Sequence, residues 1–183
     1  LADAEIASRK AIELNPNLFS THFLLGSILI QQKKLKEAEF PLRKAIELKP
    51  DFFNAYLNLG ALLKDLGKLA DAEIASRKAI ELNPNLAKAH YNLGNTLKSQ
   101  GQLEEAEVST RKAVDINPGL ADAQSNLGSI LIELGKLAED LEKLKEAEFP
   151  LRKAVELKPD SADNNLNMGN ILKAIGKLGE AKL

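Results

Sequence analysis

The chain has 183 residues, 44% hydrophobic and 28% charged, with no cysteine, no tryptophan and a formal net charge of −1. This balance describes a chain that buries apolar surface while staying in water, and it excludes disulfides, thiolate zinc sites and a basic nucleic-acid footprint. No apolar run approaches the length of a membrane span, and with no targeting signal the cytoplasm stands only as a default. The start, "LADAEIASRK", has neither Met nor a signal-peptide layout, so the chain reads as an excerpt of something longer.

Residues 1–18 predict one helix that stops before Pro16, because proline pushes Asn15 out of the α region. From there the pattern returns every 34 residues: Pro16, Pro50, Pro84 and Pro118. Pro159 follows 41 residues after Pro118. Gly26, Gly60, Gly94, Gly128 and Gly169 keep the same rhythm, as do Ala11, Ala45, Ala79, Ala113 and Ala154. Residues 1–18 recur unchanged at 69–86, and 35–51 recur at 144–160 with only Ile46 replaced, by Val155. Such a period is the signature of a repeat architecture.

Each unit predicts two helices. The first carries Leu59, Leu62, Leu63 and Leu66 at helical spacing and ends at Gly67. The second carries Leu69, Ala72, Ala79, Ile80 and Leu82 and ends before Pro84, after which Asn85, or Asp51 one unit earlier, is expected to cap the next helix. Gly60 and Ala72 are placed where the two helices cross and stay small in every unit. Glu39–Arg43–Glu47, Glu73–Arg77–Glu81 and Glu148–Arg152–Glu156 form alternating-sign strips that read as solvated helix faces. In chain order the units are a second helix (1–18), full repeats at 19–52, 53–86 and 87–120, a long repeat at 121–161, and a repeat at 162–183 that breaks off early in its second helix.

The long repeat holds seven surplus residues, "LAEDLEK" at 137–143. Leu137, Leu141 and Leu144 fall on one helical stripe, so the second helix is expected to start early and project by roughly 10 Å; the alternative is a longer first helix running through Gly135, where glycine costs about 1 kcal/mol relative to Ala. That would offer Leu137 and Leu141 as an edge contact, unless the segment is a tolerated duplication slip. Pro150 and its twin Pro41 are expected to bend their helices.

The "NLG" triplets at 58–60, 92–94 and 126–128, the alanines Ala38, Ala72, Ala106 and Ala147, and Ala-Ile/Val-Glu/Asp-Leu/Ile before Asn/Lys-Pro resemble the tetratricopeptide repeat family along the whole chain. The resemblance implies an all-α fold: a right-handed superhelical solenoid of antiparallel helix pairs, with first helices lining the concave side. His22, Tyr56, His90, Gln124 and Asn165 stand where the family often has Trp, and Leu29, Leu63, Leu97, Leu131 and Leu172 where it favours an aromatic. Neither end carries a polar cap, so either further repeats adjoin the chain or copies stack end to end.

No catalytic constellation or phosphate-cradling loop is present, and His22 and His90 lie two repeats apart, so the sequence predicts neither an enzyme nor a bound metal or cofactor. The stronger signal is Asn58, Asn92, Asn126 and Asn167, each two residues before a repeat glycine, where stacked carboxamides could hold a peptide backbone through donor and acceptor together. Leu24 fills that slot in the first full repeat. "NLGN" (92–95) and "NMGN" (167–170) are similar to the repeat arm of O-linked N-acetylglucosamine transferases and to bacterial arrays of the family, and they add Asn95 and Asn170 beside the row. Lys64, Lys98 and Lys173, four residues past their glycines, would add positive charge. The expected function is a scaffold that binds a protein or extended peptide, with no nucleic acid or membrane as partner. The alternatives are the substrate-recruiting arm of a larger enzyme and a self-associating array.

Overall fold

A computed structural model of the protein describes the backbone of residues 1–181 and the side chains of residues 1–176. Every regular element among them is helical: α1 (Ala2–Leu14), α2 (Phe19–Gln31), α3 (Leu35–Leu48), α4 (Phe53–Asp65), α5 (Leu69–Leu82), α6 (Ala87–Ser99), α7 (Leu103–Ile116), α8 (Ala121–Leu137), α9 (Leu141–Glu146), α10 (Glu148–Leu157) and α11 (Ala162–Ala181). The chain divides into two compact units, Leu1–Thr96 and Leu97–Leu183.

In the first unit α2 pairs with α3 and α4 with α5. Leu25, Leu29, Leu42, Leu59, Leu62 and Leu63 pack with Ala38, Ala72 and Ala75, and Ile12, Phe23 and Ile46 close the edges. The small residues set the distance between paired helices. A Cβ built on Gly26 would lie 2.7 Å from Leu42, and one on Gly60 would lie 2.7 Å from the Ser76 hydroxyl. Ala38 and Ala72 opposite have no exposed surface at all. In the second unit α8 takes the same role against α9 and α10, and Leu127, Leu131, Ile132, Leu144, Leu151 and Ile171 form the core. Gly128 there meets Leu151 in the register of Gly26 with Leu42.

One turn joins the paired helices. Its middle residue is left-handed at Lys33 (φ 61°), Gly67 (75°), Gly101 (78°) and Glu139 (51°). The residue after it donates 2.9 Å back to the carbonyl of Leu29, Leu63, Leu97 or Gly135, closing the helix C-terminus as a Schellman motif. Asp51 does not cap α4, whose N-cap is Phe52 with no side-chain hydrogen bond. Asn15, Asn83 and Asn117 instead accept the backbone N–H of Asn17, Asn85 and Gly119, at 3.2, 3.3 and 3.0 Å, in Asx turns around the prolines.

The seven surplus residues are shared between the two arms of the hairpin: the first helix runs through Gly135, the alternative read from the sequence, and the second starts early by three residues instead of projecting by roughly 10 Å. α8 ends at Leu137, four residues beyond the counterpart of Asp65, and α9 begins at Leu141, three before the counterpart of Leu69. Each arm gains about one turn, roughly 5 Å. Gly135 is released from the turn into the helix, where its Cβ would lie 2.8 Å from Leu144. Gly128–Leu151 and Gly135–Leu144 are thus two contacts of one antiparallel register, seven residues apart on each strand of the pair. Asp140 caps α9 by accepting from Glu142 N–H at 2.9 Å and Lys143 N–H at 3.2 Å.

Pro41 does not break α3, whereas the equivalent arm is interrupted at Ala147 before Pro150. A proline strands the carbonyl four residues back. For Pro41 that is Glu37 in the first turn of α3, where the chain opens freely, but for Pro150 it is Glu146, inside the lengthened arm. α11 also departs from expectation: it runs through Gly176 without the turn that would open a second helix. Residues 182 and 183, part of that expected second helix, lie outside the described residues.

Deleting 137–143 should return Gly135 to the left-handed turn position and remove the left-handed Glu139. Both changes are favourable by about 1 kcal/mol at most, so urea unfolding should show a variant within about 1 kcal/mol of the parent or slightly above it. Gly128→Ala should destabilise by about 1–3 kcal/mol through overpacking on Leu151. Gly169→Ala, whose Cβ meets nothing within 4 Å, should stabilise by up to about 1 kcal/mol in the same assay.

Candidate functional site

The asparagines occupy one phase of successive first helices, and all four are half-buried. In the first unit Asn58 Nδ2 donates to Ser27 Oγ on α2 at 3.1 Å, and Asn92 Nδ2 donates to the Leu57 carbonyl on α4 at 3.3 Å. In the second unit Asn126 Nδ2 donates to Thr110 Oγ1 on α7 and Asn167 Nδ2 to Ser125 Oγ on α8, each at 3.4 Å. Each carboxamide therefore commits one hydrogen to the preceding repeat. A carboxamide has two donor hydrogens and an acceptor oxygen, so an acceptor and a further donor are left per residue. Leu24, in the same slot on α2, is 52% exposed and begins the row with an apolar side chain.

The flanking residues differ among themselves. Asn95 is half-buried and Asn170 exposed. Lys64 is paired with Asp65 at 3.0 Å, and Lys98 with Glu133 at 2.9 Å while donating 2.6 Å to Ser129 Oγ. Lys173 is exposed. The positive charge read from the sequence is thus partly neutralised by acids on the same helix as Lys64 and on α8. Leu137 is 76% exposed at the C-terminus of α8, whereas Leu141 is half-buried and Leu144 fully buried, so the anticipated leucine stripe is divided between two helices.

The histidines are tied into the turns. His22 Nε2 lies 2.8 Å from the Pro16 carbonyl and His90 Nε2 2.9 Å from the Pro84 carbonyl. Gln124 and Asn165, at the same phase, donate to Pro118 and Pro159 at 3.0 and 2.8 Å. Three residue types are interchangeable at this position, because an N–H on a side chain of suitable reach satisfies the carbonyl that the proline turn leaves without a helical donor. Among the described residues no group of His, Asp or Glu could hold a metal ion, and no helix is long and apolar enough to cross a membrane.

The charged strips on the second helices connect neighbouring repeats, which sequence periodicity did not reveal. Glu5 pairs with Arg9 at 2.9 Å on its own helix and with Lys34 at 2.7 Å from the next repeat, while Arg9 reaches Glu37 at 3.4 Å. Glu39, Arg43, Lys68 and Asp71 repeat this four-membered arrangement, and Glu107, Arg111, Lys143 and Glu146 repeat it again. The Lys34 hydrogen bond, with Arg9 beside it, lowers the Glu5 carboxyl from 4.5 to about 2. Glu39 is lowered by Lys68, against some desolvation, with help from Arg43. At Glu107 burial pushes upward, but the bonds from Lys143 and Arg111 outweigh it.

A second feature missed in the sequence is a set of bulky apolar residues left in solvent beside these networks: Ile6, Phe40 and Ile74 in the first unit (68, 74 and 69% exposed), Val108 and Phe149 in the second (70 and 75%). Each precedes an arginine of the charged strips by three residues, which was the available signal. Phe40 and Ile74 border cavities of about 460 and 390 Å³, floored by Leu25 and Leu29 in one and by Leu59 and Leu63 in the other.

Models of the tetratricopeptide repeat match residues 53–86, 87–120 and 128–161, and a TPR repeat model matches 26–67. The chain belongs to the tetratricopeptide repeat family. Among solved structures, YrrB, a TPR protein with an unusual peptide-binding site, is 27% identical, with 90% of this chain and 81% of that one covered at a TM-score of 0.71. MamA is 27% identical over 87% of this chain and 83% of that one, also with a TM-score of 0.71. Pseudomonas aeruginosa pilF, 24% identical over 85% of this chain and 68% of that one, shares the fold with a TM-score of 0.73. No curated protein sequence matches the chain. These likenesses place it among protein-interaction scaffolds.

The ion networks set an acid limit on stability. Carboxylates lowered in the folded state contribute stability that is complete above their unfolded values near 4.5 and is lost as pH falls toward about 2, the folded value of Glu5. The melting temperature should therefore be level from neutral pH to just above that window and fall within it. Glu39→Gln should make the fall shallower, as read by circular dichroism melts across pH.

Proposed function

We propose that the protein is a non-catalytic scaffold that binds an extended peptide or protein segment along the asparagine-bearing face of its first helices, the side that the family arrangement makes concave. The observation that carries this reading is the set of carboxamides, each fixed by a bond to the preceding repeat and each keeping an acceptor and a donor. A group already held in place loses little entropy when a ligand arrives. A peptide residue presents one N–H and one C=O, the complement of what each carboxamide keeps. Leu24 at one end of the row favours an apolar side chain on the ligand there. The peptide-binding site of YrrB, at 27% identity, supports the class of ligand without placing it.

The same face would serve a second reading, the substrate-recruiting arm of a larger enzyme, favoured by the "NLGN" and "NMGN" segments. In both readings the face binds polypeptide, and a catalytic domain elsewhere in the same polypeptide distinguishes them.

The test is capture of partner polypeptides by the parent chain and by variants carrying Asn58→Ala with Asn92→Ala, or Asn126→Ala with Asn167→Ala. Two lost hydrogen bonds should weaken binding of a captured peptide by roughly 10- to 100-fold in calorimetry. The melting temperature should change little, since the groups left behind are acceptors at half-buried sites, and the Ser27 and Thr110 hydroxyls keep their own bonds to the Phe23 and Ala106 carbonyls. Undiminished binding by both variants would remove the asparagines from the site.

A further inference from the structure

The exposed faces of the second helices carry a pattern with a symmetry of its own. Each exposed apolar residue stands three positions after a carboxylate and three before an arginine, as in Glu37–Phe40–Arg43 on α3 and Asp71–Ile74–Arg77 on α5. Residues three apart are neighbours on a helix surface, so each trio forms one stripe. Reversing the direction of the helix exchanges acid and arginine about the apolar residue. Two such stripes laid antiparallel therefore set every arginine against a carboxylate, whereas parallel stripes set like charges together.

Beside each apolar residue lies a hole that could take another. Phe40 borders the cavity of about 460 Å³ between α1 and α3, and Ile74 the cavity of about 390 Å³ between α3 and α5. Phe40 is 74% exposed although α3 is flanked on both sides, by α1 through Arg9–Glu37 at 3.4 Å and by α5 through Arg43–Asp71 at 3.2 Å. Its exposure is that of a residue inside the array. Across the first unit the face thus runs cavity, Phe40, cavity, Ile74.

We propose that this face of the first unit binds a second copy of the chain about a two-fold axis. Phe40 of each copy enters the cavity between α3 and α5 of the other, and Ile74 enters the cavity between α1 and α3. One axis serves both contacts, because each is returned when the copies are exchanged, as an isologous interface requires. The helices run antiparallel across it, so Arg43 and Arg77 of each copy face Glu37 and Asp71 of the other. The pairs Arg9–Glu37 and Arg43–Asp71 are exposed, so sharing their members between copies costs little. Such a contact closes on itself and ends at a dimer. It does not involve the asparagine face and stands independently of the proposed peptide binding.

Sedimentation velocity from micromolar to near-millimolar protein tests it, with circular dichroism melts to verify that each variant is folded. The parent should pass from monomer to dimer and stop there. Phe40→Glu, at an exposed helical position, should raise the dimer dissociation constant about 10-fold or more through loss of an aromatic anchor. Two charge variants probe the antiparallel register: Glu37→Arg with Asp71→Arg, and Arg43→Glu with Arg77→Glu. Each alone sets like charges together and should stay monomeric, while an equimolar mixture of the two should form a mixed dimer. A parent that stays monomeric throughout or grows beyond a dimer would overturn the proposal. So would a dimer that Phe40→Glu leaves unchanged, or a mixture of folded charge variants no heavier than its components.

Discussion

The close crossing of paired helices is the constraint on which the remaining structure depends. Gly26 against Leu42, Gly60 against Ser76 and Gly128 against Leu151 bring two backbones to a separation that no side chain at the glycine would permit. The facing residue then varies freely between Leu and Ser, because the glycine side fixes the approach. From that approach follows the burial of Ala38, Ala72 and Ala147, and the next first helix packs on the second helix in each unit, α4 on α3 and α11 on α10. Leucines fill the layer between, and dispersion within it is sensitive to gaps of a fraction of an ångström.

The same constraint explains how the long repeat absorbs its insertion. Seven residues are close to two helical turns, and an antiparallel hairpin can divide them as one turn per arm while both arms keep their phase. Gly128 and Gly135, seven apart, then face Leu151 and Leu144, also seven apart. A glycine that ends a first helix elsewhere becomes a second crossing glycine here, and Glu139 accepts the left-handed conformation in its place. Register between the arms outweighs the local preference of a single turn residue.

Polar groups follow the packing. The asparagines, the proline-bound His22, His90, Gln124 and Asn165, and the ion networks of the second helices all bridge parts of the array that the apolar layer has already brought together. Exposed ion pairs add little individually, and their consequence here is mainly the acid dependence of stability. The asparagines are different in kind, since the fold uses only part of their hydrogen-bonding capacity.

By itself the sequence determined the repeat, the helix pairs, the small crossing residues and the row of asparagines, because helical periodicity and proline termination are local properties that recur every 34 residues. It did not determine the sharing of 137–143 between two arms, the partners of the glutamates or the exposure of Phe40 and Phe149. Those depend on which atoms meet across helices. Glu5 meets Lys34 from 29 residues away, and Gly135 meets Leu144 only because the arms keep their register, so tertiary packing alone decided them.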